Sequence, residues 1–316
     1  MSAQSVPEEL IFLDPVCLPK IWGGSRLQEL YGRPPSGERI GECIAISGHP
    51  DADCRVRGGS FGQTPVSALW RDHRDLFGGV GGDSFPLQVK FIDACEDLSV
   101  QVHPDAAYAR KHGLDEAKNE CWYVLGPDQS KRIVIGHNAA SRDELARLVS
   151  EGRWDELLSQ REMHEGDFFF IPAGTAHCIL AGSLIYEVAQ SSSTTYRLYD
   201  YDRVDVDGRK RDLHIEQALA VLKVPDVPVV TAPSTVVRGD ASDTLFIRNE
   251  YFSLRKWDVR SATVFPVEEP FLLAGVVEGS GLVNGAHVAR GDHFIVPNAV
   301  RILEITGPVS LMVTSL

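Results

Sequence analysis

The segment Gly166-Asp-Phe-Phe-Phe-Ile-Pro172 recurs later in the chain as Gly291-Asp-His-Phe-Ile-Val-Pro297. Each copy reads as a turn, a buried apolar strand and a proline stop. A Pro-rich stretch at 224–234, VPDVPVVTAPS, lies between them and reads as a semi-rigid linker. Two like units on either side of a linker predict two similar β-barrels: residues 1–230, with helices inserted, and residues 231–316, nearly all strand and turn. With 28 Gly and 18 Pro among 316 residues, the composition favours such a turn-dense, mainly β chain over a helical bundle.

Helices are expected in four places. One opens at Thr64-Pro65 and stops at Gly78-Gly79, and a short one opens at Pro104-Asp105 and ends near Gly113. Ser141 and Glu144 form a capping-box pattern at the head of a helix over 141–161, and 213–222 reads as the fourth. Strands are expected at 87–92, 98–103, 120–125, 132–135, 167–171 and 184–188.

Lys+Arg minus Asp+Glu is 31 − 44 = −13. A chain this acidic repels nucleic acid and anionic membranes, so neither is an expected partner. No apolar run approaches the ~18 residues of a membrane span. The opening MSAQSVPEEL has no basic or apolar leader pattern. The six cysteines form no CxxC pair and are expected as reduced thiols, which together point to the cytoplasm.

Three segments carry side chains suited to a divalent metal. In Leu98-Ser-Val-Gln-Val-His103, strand alternation places Ser99, Gln101 and His103 on one face and the apolar residues on the other. In Lys118-Asn-Glu120-Cys121, Lys118 and Glu120 share a face and Cys121 points away. Taken singly, these also fit a strand with one face in water and a surface Lys/Glu pair. The third segment, Gly166-x5-Pro172-x-Gly174-x2-His177, matches the second signature of cupin barrels at every fixed position except the terminal Asn, which is Ala181. Its Gly/Pro turns deliver His177 into the barrel and leave Cys178 facing out. Two imidazoles and a carboxylate suit zinc or another first-row ion, Gln101 adds a carbonyl oxygen, and an open position marks a catalytic site. In the second copy, the counterparts of Gly174 and His177 are Ala299 and Ile302, so that barrel is expected to hold no metal. The other histidines, His293 among them, are expected mostly at the surface or in local hydrogen bonds.

Beyond the third segment, SSSTTYRLYDYDR at 191–203 strings hydroxyls and then arginines. Arginine suits bidentate capture of phosphate or a developing oxyanion, though surface Arg–Asp pairs on a strand read equally well from the residues alone.

LSVQVHPD, KNECWYVL, IPAGTAHCI and SSSTTYRLYDYDR, in that order, resemble type I mannose-6-phosphate isomerases of the short bacterial form, as do IWGGSRL and GECIAISGHPD upstream. The resemblance covers about residues 10–222. It implies two cupin-type (jelly-roll) β-barrels and a zinc-dependent aldose–ketose isomerase that interconverts mannose 6-phosphate and fructose 6-phosphate through a cis-enediol, with one Zn2+ per chain. It carries the metal ligands over to Gln101, His103, Glu120 and His177, and the catalytic arginine to Arg197. Lys118 and Glu187 fall on further catalytic positions, and either of them or a bound water is a candidate proton carrier. Ser99 and Arg203 fall on positions that face the sugar phosphate. The expected partner is a small sugar phosphate, and the chain is expected to be a monomer or homodimer. Other readings are a cupin isomerase acting on free mannose or another sugar phosphate, an iron oxygenase, and a non-enzymatic sugar-binding cupin.

Overall fold

A computed structural model describes residues 9–32, 37–114, 117–127, 132–204 and 207–316. Most of the MSAQSVPEEL opening lies outside these residues. The chain is mainly β, and all six expected strands form.

The first barrel is made of two antiparallel sheets. One orders the strands Phe168–Ile171, Glu120–Pro127, Ser183–Gln190, Leu87–Asp93, Ile40–Ile46 and Val16–Gly24. The other orders Leu158–Glu162, Arg132–His137, His177–Cys178, Val100–Val102 and Tyr196–Tyr199. The helix Ile215–Val221 covers the back of this five-stranded sheet, where Val100, Val102, Cys178 and Leu198 share an apolar cluster with Leu148, Ala218 and Leu222. The polar residues that alternate with them are therefore turned into the barrel.

The second barrel is built from the strands that follow Ser234. The strand Ile11–Asp14 joins it, pairing antiparallel with His293–Val296 at the far end of the chain. An apolar cluster fills the second barrel. Another lies between the barrels, where Phe91, Cys121, Tyr186 and Val188 of the first meet Phe252, Leu273, Ile295 and Met312 of the second. Alternation explains this double use. The six-stranded sheet turns Cys121 and Tyr123 toward the second barrel and Glu120 and Trp122 inward.

Four details depart from expectation. The helix begun by Ser141, whose Oγ accepts from the Glu144 amide at 3.2 Å, ends at Ser150. Gly152 then turns the chain at φ 65°, Trp154–Leu157 adds one turn, and Leu158–Glu162 is a strand. Pro65, at ψ 149°, caps the helix Val66–Asp72 from outside rather than starting it. Cys17 and Cys43 form a disulfide, because they are direct partners across adjacent antiparallel strands, a closeness that a 26-residue separation conceals. His293 is fully buried between the barrels, not at the surface.

Candidate metal centre and catalytic cavity

The candidate ligands come from facing walls of the first barrel. Gln101 sits on the fourth of the five strands, directly opposite His177 on the central strand and Arg197 on the edge strand. His103 follows at the end of the same strand. Gly174, at φ 85°, makes the turn that brings His177 back, and its amide donates to the His103 carbonyl at 2.9 Å. A side chain at that φ would be strained, which is why the spacing needs glycine. Glu120 comes from the six-stranded sheet across the barrel.

His103, Glu120 and His177 are buried, and their candidate ligand atoms lie within 4.8 Å of one another. Thr194 O lies 2.8 Å from His103 Nδ1, and Thr175 O lies 3.0 Å from His177 Nδ1. Carbonyls only accept, so both Nδ1 atoms carry the proton and both Nε2 atoms keep an unprotonated lone pair. Those lone pairs face the Glu120 carboxylate at 3.3 and 3.4 Å. Burial is the main influence lowering the pKa of both imidazoles, with His177 brought down to about 4, so the rings are neutral. Glu120 Oε1 accepts no hydrogen bond. Two lone pairs and a carboxylate converge in a buried space, and this donor set fits a first-row divalent ion. The Gln101 amide lies 3.2 Å from His177 Nε2, and a half-turn of its end would offer Oε1.

The other candidates surround this centre. Lys118 Nζ is 2.8 Å from Glu120, 3.4 Å from His103 Nε2 and 3.8 Å from Glu187. The pair is buried, not on a surface edge. Glu187 also holds Lys90 at 3.2 Å and accepts from Trp122 Nε1 at 3.2 Å. Burial pulls the Lys90 ammonium toward neutrality, but Glu187, Glu42 and Glu120 outweigh it and keep Lys90 charged. Arg197 donates to Ser99 Oγ at 3.3 Å and to the Asp212 carbonyl at 2.7 Å.

A cavity of about 310 Å3 opens beside these groups, lined by Ser99, Gln101, Lys118, His177, Glu187 and Arg197 among others. Arg203 is not in its lining. Its guanidinium is turned onto the Asp200 carboxylate at 2.6 Å and the Asp97 carbonyl, and lies over the Tyr201 ring. The cavity also exposes Lys20, Glu42, Lys90 and Arg211, which sequence reasoning missed. Lys90 in LQVKFID and Glu42 in IGECIAI were detectable as single charges inside otherwise apolar strands. Arg211, in a run of charged residues, carried no such signal.

Residues 10–130 match the family model described as phosphomannose isomerase type I, catalytic domain, and residues 242–316 match mannose-6-phosphate isomerase, cupin domain. A mannose-6-phosphate isomerase of Bacillus subtilis is 39% identical over 313 residues, which is 98% of this chain and 99% of that protein. The chain belongs to the mannose-6-phosphate isomerase family. A crystal structure of the Bacillus subtilis mannose 6-phosphate isomerase superposes on it with TM-score 0.94 at 40% identity, covering 97% of this chain and 99% of that one. A mannose 6-phosphate isomerase bound with zinc and yttrium shares the fold at TM-score 0.77 and 16% identity, with 97% and 99% covered. This member is thus an enzyme, an isomerase on the cupin fold, and its His-Glu-His group is able to hold a metal.

Proposed function

We propose that this isomerase interconverts mannose 6-phosphate and fructose 6-phosphate through a cis-enediol, with one zinc ion per chain held by Gln101, His103, Glu120 and His177. The observation that carries the reading is the meeting of two imidazole lone pairs with a buried carboxylate, beside Lys118 and Arg197 in one cavity. A bound divalent ion supplies Lewis-acid polarisation and orients substrate oxygens.

The chain's own residues do the rest. In its neutral amine form Lys118 takes the proton from C2, becoming the ammonium, and returns it to C1 on the same face of the enediol. Glu187 Oε2 accepts from Trp122 Nε1, and Oε1 faces the Lys90 and Lys118 ammoniums without a hydrogen bond, so we assign Glu187 to orienting Lys118 through its charge. Arg197 meets the negative charge that develops on the enediolate, and Ser99 fixes its guanidinium and faces the sugar.

Conversion of mannose 6-phosphate should stop when a chelator removes the metal and return when zinc is restored. Full turnover in metal-free protein would overturn the reading.

A further inference from the structure

The cations lining the cavity differ in how their charge is balanced. Lys20 faces Glu42 at 3.2 Å, Lys90 faces Glu187 at 3.2 Å and Lys118 faces Glu120 at 2.8 Å, so each lysine has a carboxylate of its own. The arginines do not. Arg197 touches a hydroxyl and a carbonyl, both neutral. Arg211 donates Nε to Asp200 Oδ2 at 2.8 Å and Nη2 to Oδ1, but Arg203 claims that same Oδ1 at 2.6 Å. Two guanidiniums thus share the single Asp200 carboxylate, and Arg197 forms no ion pair among the described residues, in a chain whose net charge is −13. Burial, and after it the Arg211 charge, lowers the Arg197 pKa, a strain that an anion beside both groups would relieve.

Two of these three arginines, 197 and 211, line the cavity, and Arg203 does not. Asp200 occupies one edge of the Arg211 fork, and Nη1 makes no hydrogen bond among the described residues. Arg203 holds Asp200 from behind, with its own Nη1 fastened to the Asp97 carbonyl. The assembly is partly buried, with Asp200 6% and Arg211 27% exposed at the side chain. It therefore presents a fixed, planar donor to the cavity instead of a free surface arginine.

We propose that Arg211 binds the phosphate of the substrate, positioned by Asp200 and Arg203. This rests on the reading that the cavity takes a sugar phosphate. A phosphomonoester dianion suits guanidiniums whose charge one shared carboxylate balances only in part, and the planar fork suits its oxygens. Arg197 is the cross-strand partner of Gln101 and so stands beside the metal centre. Arg211 then serves the other end of the sugar.

The test is titration of inorganic phosphate into the zinc-loaded protein, together with steady-state kinetics on mannose 6-phosphate. Arg211→Gln should weaken phosphate binding and raise KM by about ten- to a hundredfold, the effect of one charge-assisted contact, with kcat within about threefold. Arg211→Lys should recover only part, since it keeps the charge but not the fork. Phosphate affinity unchanged in both variants would overturn the proposal. So would parallel losses of zinc and kcat in both, which mark a structural role. If the parent protein binds phosphate through Arg211 yet fails to isomerise mannose 6-phosphate, the proposed activity fails and the anion site stands. If it isomerises and Arg211 proves irrelevant to phosphate, only the anion site fails.

Discussion

Among the described residues Arg197 has no carboxylate ion-pair partner, which bears on its two readings. A surface Arg–Asp pair with Asp200 or Asp202 would contribute at most about 1 kcal/mol to stability and nothing to turnover. Instead, Asp200 is taken by Arg203 and Arg211, and Asp202 pairs with Lys210. In the proposed reaction Arg197 is available for charge that appears on the enediolate. Arg197→Ala is expected to lower kcat by about 10²–10³-fold, the scale of losing one oxyanion donor, with zinc content unchanged because no ligand is touched. Arg197→Lys should restore little. Steady-state kinetics with a metal assay on the same samples decide it, and a near-parental kcat would end the catalytic reading. At this scale, strand alternation put His103 on one face with Gln101 and Glu120 on one face with Lys118, and the Gly/Pro spacing singled out His177, while the family resemblance joined them as candidate ligands. It did not identify Lys90 or Glu42. A charge inside an apolar strand shows that it needs a partner but not which partner, and Glu187 lies about a hundred residues beyond Lys90.

Elements are joined by glycines whose reason lies outside their own strand. Gly275, on the strand Leu272–Val283, lies where an added Cβ would come 2.9 Å from His293 Nδ1 and 3.0 Å from the Tyr186 hydroxyl. Both side chains are fully buried. Neither has room to retreat, so Gly275→Ala should destabilise the protein by about 1–3 kcal/mol through overpacking where the barrels meet. Chemical denaturation of the purified variant measures this, and parental stability would show that the contact relaxes freely. Nothing local marks Gly275, because its φ is ordinary. Gly152 is the opposite case. The capping box at Ser141 is expected to open a helix continuing to 161, but Gly152 turns at positive φ and the next segment finds hydrogen bonds on a strand edge. Tertiary pairing overrode a local helix signal there.

In the whole molecule, the two barrels share a core, and His293 sits inside it. Its Nε2 is 2.9 Å from the Tyr31 hydroxyl, its Nδ1 has no partner, and its ring lies 5.3 Å from that of Phe91. Burial brings its pKa down to about 3 from an ordinary 6.5. The folded protein therefore keeps His293 neutral, whereas the unfolded chain protonates it below pH 6.5. Its contribution is fully present above pH 6.5 and is lost as pH falls toward 3, by up to about 1.4 kcal/mol per unit. Urea unfolding at pH 7 and pH 5 should show the parent losing about 2 kcal/mol more than His293→Asn over that interval. Equal losses would remove His293 as the cause.

The sequence by itself determined the repeated turn-strand-proline unit, the mainly β character and which strand faces carry His103 and Glu120. Each rests on spacing within a few residues, where covalent geometry and strand alternation dictate the outcome. Only the tertiary structure decided that Ile11–Asp14 completes the second barrel, that Cys17 meets Cys43, and that Arg211 rather than Arg203 faces the cavity. These pairings join positions far apart in the chain, or choose between like charges in one loop. Their outcome is set by which carboxylate or strand edge the folded chain brings within a few ångströms, and no local spacing encodes that.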